Sequence, residues 1–352
     1  MIDPRTRRAL RAGFVLTALG LPAAAAPLRA QRDSASVVPS ERYRAGPLQS
    51  FLLGKYYRDL WTTPVRVPVL ELRTFAGGLR PTKRGGGNQT QSLRFQGGDG
   101  REYAFRSVEK DQSRTLPPDL KGTIVNWALQ DQVSSLHPTS SLPADALMSA
   151  VGILHVPPRL YVMPDDPALG EFRKDFAGML GWLEERPEDP GKDEDKKDDG
   201  KSDDAGDPKD ERTGPKAPAF AGASRIVDTG DFFDALEDSP RNRLDSRDYL
   251  RGRLLDLFFG DWDRHEDQYR WARFERGGLH VWRALPRDRD YVFVDYDGFL
   301  VRLANGAYPK AVRYSHEYPG SLYGLTINAQ ALDRRLLADL PRAAWDSAAA
   351  EV

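Results

Sequence analysis

Between Arg186 and Pro218 the chain is almost devoid of apolar side chains and dense in Asp, Glu, Lys, Gly and Pro. Such a stretch cannot bury enough surface to offset the entropy of ordering it. Residues 186–218 are therefore expected as a disordered acidic insertion, dividing what folds into a part before it and a part after it. Its many carboxylates would suit calcium, but a solvated insertion is the simpler reading.

The first thirty residues belong to neither part. Arg5, Arg7, Arg8 and Arg11 precede an apolar run from Ala12 to Ala26, and small residues lead to a cleavage region near Ala30. Positive start, short apolar centre and small-residue exit predict a secretory signal peptide over residues 1–30. The mature chain is accordingly expected in the periplasm or cell envelope, with an outer-membrane or envelope partner. The formal net charge of -1 gives no basic excess for neutralising phosphates, so no nucleic-acid partner is expected. Cysteine is absent, which excludes disulfides, thiolate metal sites and a cysteine nucleophile.

Residues 31–84 read as a linker (31–48) and an N-terminal extension, with a short helix over Leu52–Trp61 and a β-like run from Val65 to Leu72. Beyond Gly85-Gly86-Gly87, the runs Ser92–Phe95 and Glu102–Val108 flank Gly97-Gly98-Asp99-Gly100, a hairpin signal. Helices are expected over Leu120–Leu136 and Ala144–Val151, then extended segments over Arg159–Met163 and Phe176–Leu183. After the insertion, order resumes at Ile226. Ser246 is placed as the N-cap of a helix whose Leu250, Leu254, Leu257 and Phe258 share a face, with Gly260 as its stop.

Directly after that helix stands Gly260-Asp261-Trp262-Asp263-Arg264-His265-Glu266-Asp267-Gln268. Two strand patterns joined by Gly277-Gly278 follow, and then Pro286-Arg287-Asp288-Arg289-Asp290. A hairpin brings its ends together, so the two acidic clusters should meet. Gathering so many carboxylates costs Coulomb energy unless cations compensate. Arg264, Arg287 and Arg289 are candidates, and a divalent metal is another. A surface salt-bridge network is the plainer alternative. Against it, Trp262, Trp271 and Trp282 point to a partly buried setting.

The order of helix, Asp-bearing loop, short hairpin and second Asp resembles the catalytic half of protein-kinase-like folds. Asp263-Arg264-His265-Glu266-Asp267-Gln268 is similar to the Asp-Arg-His-x-x-Asn loop of phosphoinositide kinases. It also resembles the loops of HipA-type, spore-coat H and secretory-pathway kinases. The resemblance implies an α+β, two-lobed fold: an N-lobe with an antiparallel sheet (residues 85–185) and a mainly helical C-lobe (residues 219–352). It implies Asp263 as the catalytic Asp, with His265 orienting it or neutralising charge. Gln268 takes the place of a metal-binding Asn, and Asp288, or its competitor Asp290, matches the second metal-binding Asp. Gly85, Gly86, Gly87 and Thr90 would cover nucleotide phosphates. Arg106, or alternatively Lys110, would hold the phosphates where such kinases carry Lys, opposite Asp131 or Gln132 in the following helix. Glu184 would lie at the hinge. The implied cofactors are ATP or another nucleotide and Mg²⁺ or Mn²⁺, and the implied partner is a hydroxyl-bearing acceptor.

The same motif pair looks closer still to uncharacterised bacterial envelope proteins, some of which also carry a phosphoesterase or outer-membrane barrel domain. This chain shows neither and is expected as a truncated version. Of the five histidines, His137, His155, His280 and His316 read as structural. No zinc spacing and no Gly-x-Ser-x-Gly elbow occur. Two further readings stand beside the kinase-like one. A metal-dependent hydrolase would also use the acidic clusters, and a pseudokinase or other non-catalytic envelope protein would explain Gln268 and Arg106.

Overall fold

The computed structural model describes residues 34–85, 89–187, 219–304 and 309–352. Residues 1–30, expected as a signal peptide, Gly86 and Gly87, and the body of the acidic insertion lie outside the described residues.

Two short strands, β1 (Ser34–Val37) and β2 (Val65–Pro68), pair antiparallel. Between them lie α1 (Pro47–Leu53) and α2 (Arg58–Thr62). The single helix expected over Leu52–Trp61 is thus broken in two. Gly54 adopts φ 111°, and a Cβ there would meet the Asp297 carboxylate at 2.6 Å. The linker expected over 31–48 contains β1 and Tyr43, whose ring is fully buried with Trp61. Polar composition hid this segment because one aromatic ring carries most of its burial.

A five-stranded antiparallel sheet follows, comprising β3 (Leu79–Gly85), β4 (Thr90–Gly97), β5 (Glu102–Lys110), β6 (Arg159–Val162) and β7 (Leu180–Arg186) in the order β3-β4-β5-β7-β6. It begins at Leu79, inside the segment read as an extension. Period-two alternation makes its two faces unlike. Leu93, Phe95, Tyr103, Phe105 and Leu183 fill a core with Leu70, Met163 and Phe176. On the other face the register sets Glu102 against Arg186, Ala104 against Glu184 and Arg106 against Trp182. The helices α3 (Ile124–Asp131), α4 (Ser141–Ala150) and α5 (Arg173–Phe176) lie in the connections. A buried ion pair, Arg58 to Asp131 at 2.5 and 3.0 Å, ties α2 to α3.

After the insertion come β8 (Arg225–Val227), α6 (Thr229–Asp238), β9 (Asn242–Leu244), α7 (Ser246–Phe259), β10 (Tyr269–Arg276) and β11 (Leu279–Pro286). The four strands form a mixed sheet in the order β8-β10-β11-β9, with only the β9–β11 pair parallel. Helices α8 (Phe299–Ala304), α9 (Tyr323–Thr326), α10 (Gln330–Leu337) and α11 (Arg342–Ala349) complete the chain. This C-terminal part therefore carries a sheet as well as the expected helices, and the fold class is α+β. Its core centres on Trp271, which stacks on Phe232 at 3.9 Å.

Two expectations for α7 change. Asp245, not Ser246, is the cap, and its carboxylate accepts the Asp248 N–H at 3.1 Å. Of the expected face, Leu250 is buried and Leu254 packs against the same core, but Phe258 is 47% exposed, and Tyr249, Arg253, Asp256 and Phe259 are buried instead. A face chosen by apolarity is only half right here because Arg253 and Asp256 turn inward to serve a buried ion network. Gly260 does end the helix, in the left-handed conformation.

Candidate functional site

Pairing of Tyr269 with Pro286 closes the β10–β11 hairpin, and the Arg287 N–H donates to the Gln268 carbonyl at 2.9 Å. The two acidic clusters therefore meet, as the hairpin argument requires. Arg264, with no exposed surface, clamps them together. Its guanidinium donates to the carbonyls of Gln268 (3.1 Å), Arg287 (2.8 Å) and Asp288 (3.0 Å) and lies over the Tyr269 ring.

Two buried carboxylates beneath this clamp balance its charge. Asp256 is paired with Arg253, Arg264 and Arg289, and Asp261 with Arg264 and Arg289. Burial alone would raise Asp256, but Arg289, Arg264 and Arg253 outweigh it and hold its carboxyl below the usual range. Burial wins at Asp261, which is raised. So Arg264 and Arg289 do compensate acids, as the sequence suggested, but their partners lie behind the site. Arg287 does not join them.

Asp263 stands in front of this network. Its carboxylate accepts from Asn328 Nδ2 at 3.0 Å and lies 3.9 Å from His265 Nε2. Its N–H donates to Asp261 at 3.3 Å. His265 in turn lies 3.3 Å from Gln268 Nε2, so the three motif residues share one loop surface. Asn328, between α9 and α10, was missed in the sequence. It sits 65 residues downstream with no motif around it, and only the fold brings it in.

The second cluster faces the five-stranded sheet. Arg106 pairs with Asp288, and Lys110 with Asp290 at 2.9 Å. Each candidate cation takes one candidate carboxylate. Lys110 also lies 4.4 Å over the Tyr291 ring. Asp288 adopts φ 48°, a left-handed conformation unusual for a residue with a side chain. Burial would raise its carboxyl, but Arg106, Arg287 and Lys110 bring it below the usual range. Thr90 pairs with Lys110 across β4 and β5. Gly85 faces Ser92, where a Cβ would meet the hydroxyl at 2.5 Å.

Three expected placements change. Asp131 is taken by Arg58 and Gln49, and Gln132 reaches the Leu53 carbonyl, so neither serves Arg106. Glu184, placed at a hinge, lies within β7 opposite Ala104. There it feels Arg106, Asp288 and Asp290, and takes the role of acidic neighbour to Arg106.

Compared with protein-family models, curated proteins and solved structures, the chain matches none.

Among the described residues no three His, Asp or Glu side chains converge as a metal centre. The expected set is smaller: two carboxylates, Asp288 and Asp290, and the amide of Gln268. The Gln268 Oε1 is buried with no hydrogen-bond partner, an oxygen left without the donor or cation that burial requires. Oxygen donors of this kind fit Mg²⁺ or Mn²⁺, which take one or two carboxylates and complete their shell with phosphate oxygens and water.

Glu184 gives the site a pH signature. Burial, opposed by Arg106 and reinforced by Asp288 and Asp290, raises its carboxyl to about 7. The folded state then holds a proton that the unfolded chain releases near pH 4.5. Above that pH the folded state binds more protons, so this group's contribution to stability falls as pH rises from about 4.5 to 7. Glu184→Gln should flatten that fall, measured as urea-unfolding free energy at several pH values. Identical slopes in the two proteins would contradict the assignment.

Proposed function

We propose that the chain is an exported, kinase-like phosphotransferase with the two-lobed plan its motifs resemble. The observation that carries the proposal is the meeting of Arg106 and Lys110, from the five-stranded sheet, with Asp288 and Asp290, from the end of the second hairpin. Phosphoryl transfer needs cations on a polyphosphate, oxygen donors for a divalent metal, and a carboxylate beside the acceptor hydroxyl. Arg106, Lys110 and the glycine-rich segment that ends at Thr90 would supply the first, and Asp288, Asp290 and Gln268 the second.

Asp263 supplies the third. It orients the acceptor hydroxyl and accepts its proton, while the acceptor oxygen bonds to the γ-phosphorus. The bond from that phosphorus to the β-bridging oxygen breaks, and the nucleoside diphosphate leaves. Asn328 and His265 fix the Asp263 carboxylate. A bound metal supplies charge neutralisation on the phosphate oxygens. Export rests on residues 1–30, and the acceptor is accordingly sought among envelope hydroxyl compounds.

The ion pairs themselves favour a second reading, a pseudokinase in which Arg106–Asp288 and Lys110–Asp290 simply hold the sheet to the hairpin. Calorimetric titration of the full chain with ATP, with and without Mg²⁺, tests both. The proposal expects metal-dependent ATP binding, about tenfold weaker or more in Arg106→Gln. Absence of ATP binding in any metal would overturn it. Tight binding without formation of ADP would select the pseudokinase.

A further inference from the structure

Arg287 is the one arginine of the two motif clusters whose guanidinium makes neither a hydrogen bond nor an ion pair with a described residue. Its backbone is fixed on both sides: the N–H is bonded to the Gln268 carbonyl and its own carbonyl receives Arg264. The side chain is therefore placed by the fold and not by a counter-ion.

Its surroundings are cationic. Arg270 pairs with Leu285, two residues before Arg287, so the two arginines stand on the same sheet face at the open end of the hairpin. Arg106 reaches Asp288, the next residue. Arg106, Arg270 and Arg186 all press on Arg287, while Asp288 and Glu184 are the acids beside it. The neighbours are already engaged, Arg106 by Asp288, Arg186 by Glu102 at 3.0 Å, and Arg270 by the Tyr269 carbonyl at 3.1 Å. A half-buried charge among like charges is costly, and a guanidinium does not escape by losing its proton. Asp288 is shared with Arg106, and burial holds Glu184 partly protonated, so an anion from outside would complete the compensation of Arg287. The left-handed backbone at Asp288, the neighbouring residue, is a second departure from relaxed structure at the same point.

We propose that Arg287 anchors an oxyanion subsite beside Asp288, taking a phosphate-class group in the planar, bidentate manner of a guanidinium. It is separate from the Arg106 and Lys110 contacts assigned above. Two sources share this chemistry: the phosphate chain of the nucleotide, and an anionic group carried by the acceptor. Only the choice of source rests on the phosphotransferase reading.

The test is a thermal-shift and ³¹P NMR titration of the full chain with inorganic phosphate, comparing wild type with Arg287→Gln. Phosphate is expected to protect the wild type and to bind about tenfold more weakly to the variant. The unliganded melting temperature should stay level or rise, because a charge crowded by Arg106, Arg186 and Arg270 has gone. Equal phosphate binding by the two proteins, or no protection of the wild type, overturns the subsite. If Arg287→Gln fails to fold, Arg287→Lys keeps the charge and removes the fork. Its phosphate affinity should be intermediate, and wild-type affinity would again overturn the proposal.

ATP separates the sources. A parallel loss of ATP affinity in Arg287→Gln places the subsite on the nucleotide; unchanged ATP affinity with lost phosphate protection places it on the acceptor. Phosphate binding through Arg287 in a chain that binds no ATP would leave the subsite standing while the phosphotransferase reading falls. The converse result would remove the subsite alone.

Discussion

Asp263→Asn is expected to lower phosphoryl transfer by about 10²–10⁴-fold, the span typical of a lost general base. The fold should survive, because the carboxylate makes no buried ion pair. Its contacts are Asn328 at 3.0 Å and His265 at 3.9 Å, and an Asn carbonyl can still accept from Asn328. The check is the rate of ADP formation beside the melting temperature. A variant that keeps wild-type turnover would remove Asp263 from the chemistry. A variant that loses turnover and melts early would show a structural role instead.

The largest effect on stability is expected one layer behind. Asp256→Ala leaves Arg253, Arg264 and Arg289 facing one another, with Asp261 and Asp333 as the remaining acids. Breaking a buried pair by deleting one partner costs roughly 3–5 kcal/mol, because the stranded charge stays buried. That is a large share of a typical folding free energy of about 5–15 kcal/mol. The loss should appear as a lower urea midpoint at neutral pH. It should shrink in acid: a carboxyl held below its unfolded value contributes stability above that value and loses it as pH falls through the folded one. A cost below about 1 kcal/mol would mean that Arg264 is held by its carbonyl contacts alone.

These two carboxylates show what the sequence made legible. Both hairpins were readable, because Gly97-Gly98-Asp99-Gly100 and Gly277-Gly278 interrupt alternating runs and turn signals are local. The meeting of the two acidic clusters followed from hairpin geometry alone. Asp256 was not readable: on a helix, an acid between apolar residues marks the solvent face by every periodicity rule. Here three arginines from α7, the Asp263 loop and the Asp288 loop invert that rule. Asn328 and the Asp131–Arg58 pair were hidden for a related reason. Their partners lie 65 and 73 residues away, and sequence spacing carries no trace of contacts at that separation. The pairing of Arg106 with Asp288 and Lys110 with Asp290 needed the docking of a sheet onto a hairpin, which no local pattern encodes.

A metal-bound nucleotide is expected at the Arg106–Asp288 and Lys110–Asp290 cluster. The most direct test of this expectation is a crystal structure with Mn²⁺ and a non-hydrolysable ATP analogue, with manganese located by anomalous scattering. We predict manganese in contact with Asp288 and the orphaned Gln268 oxygen, and Arg106 moved from Asp288 onto phosphate. Arg106 still paired with Asp288, with no manganese at Gln268 at saturating ligand, would contradict it.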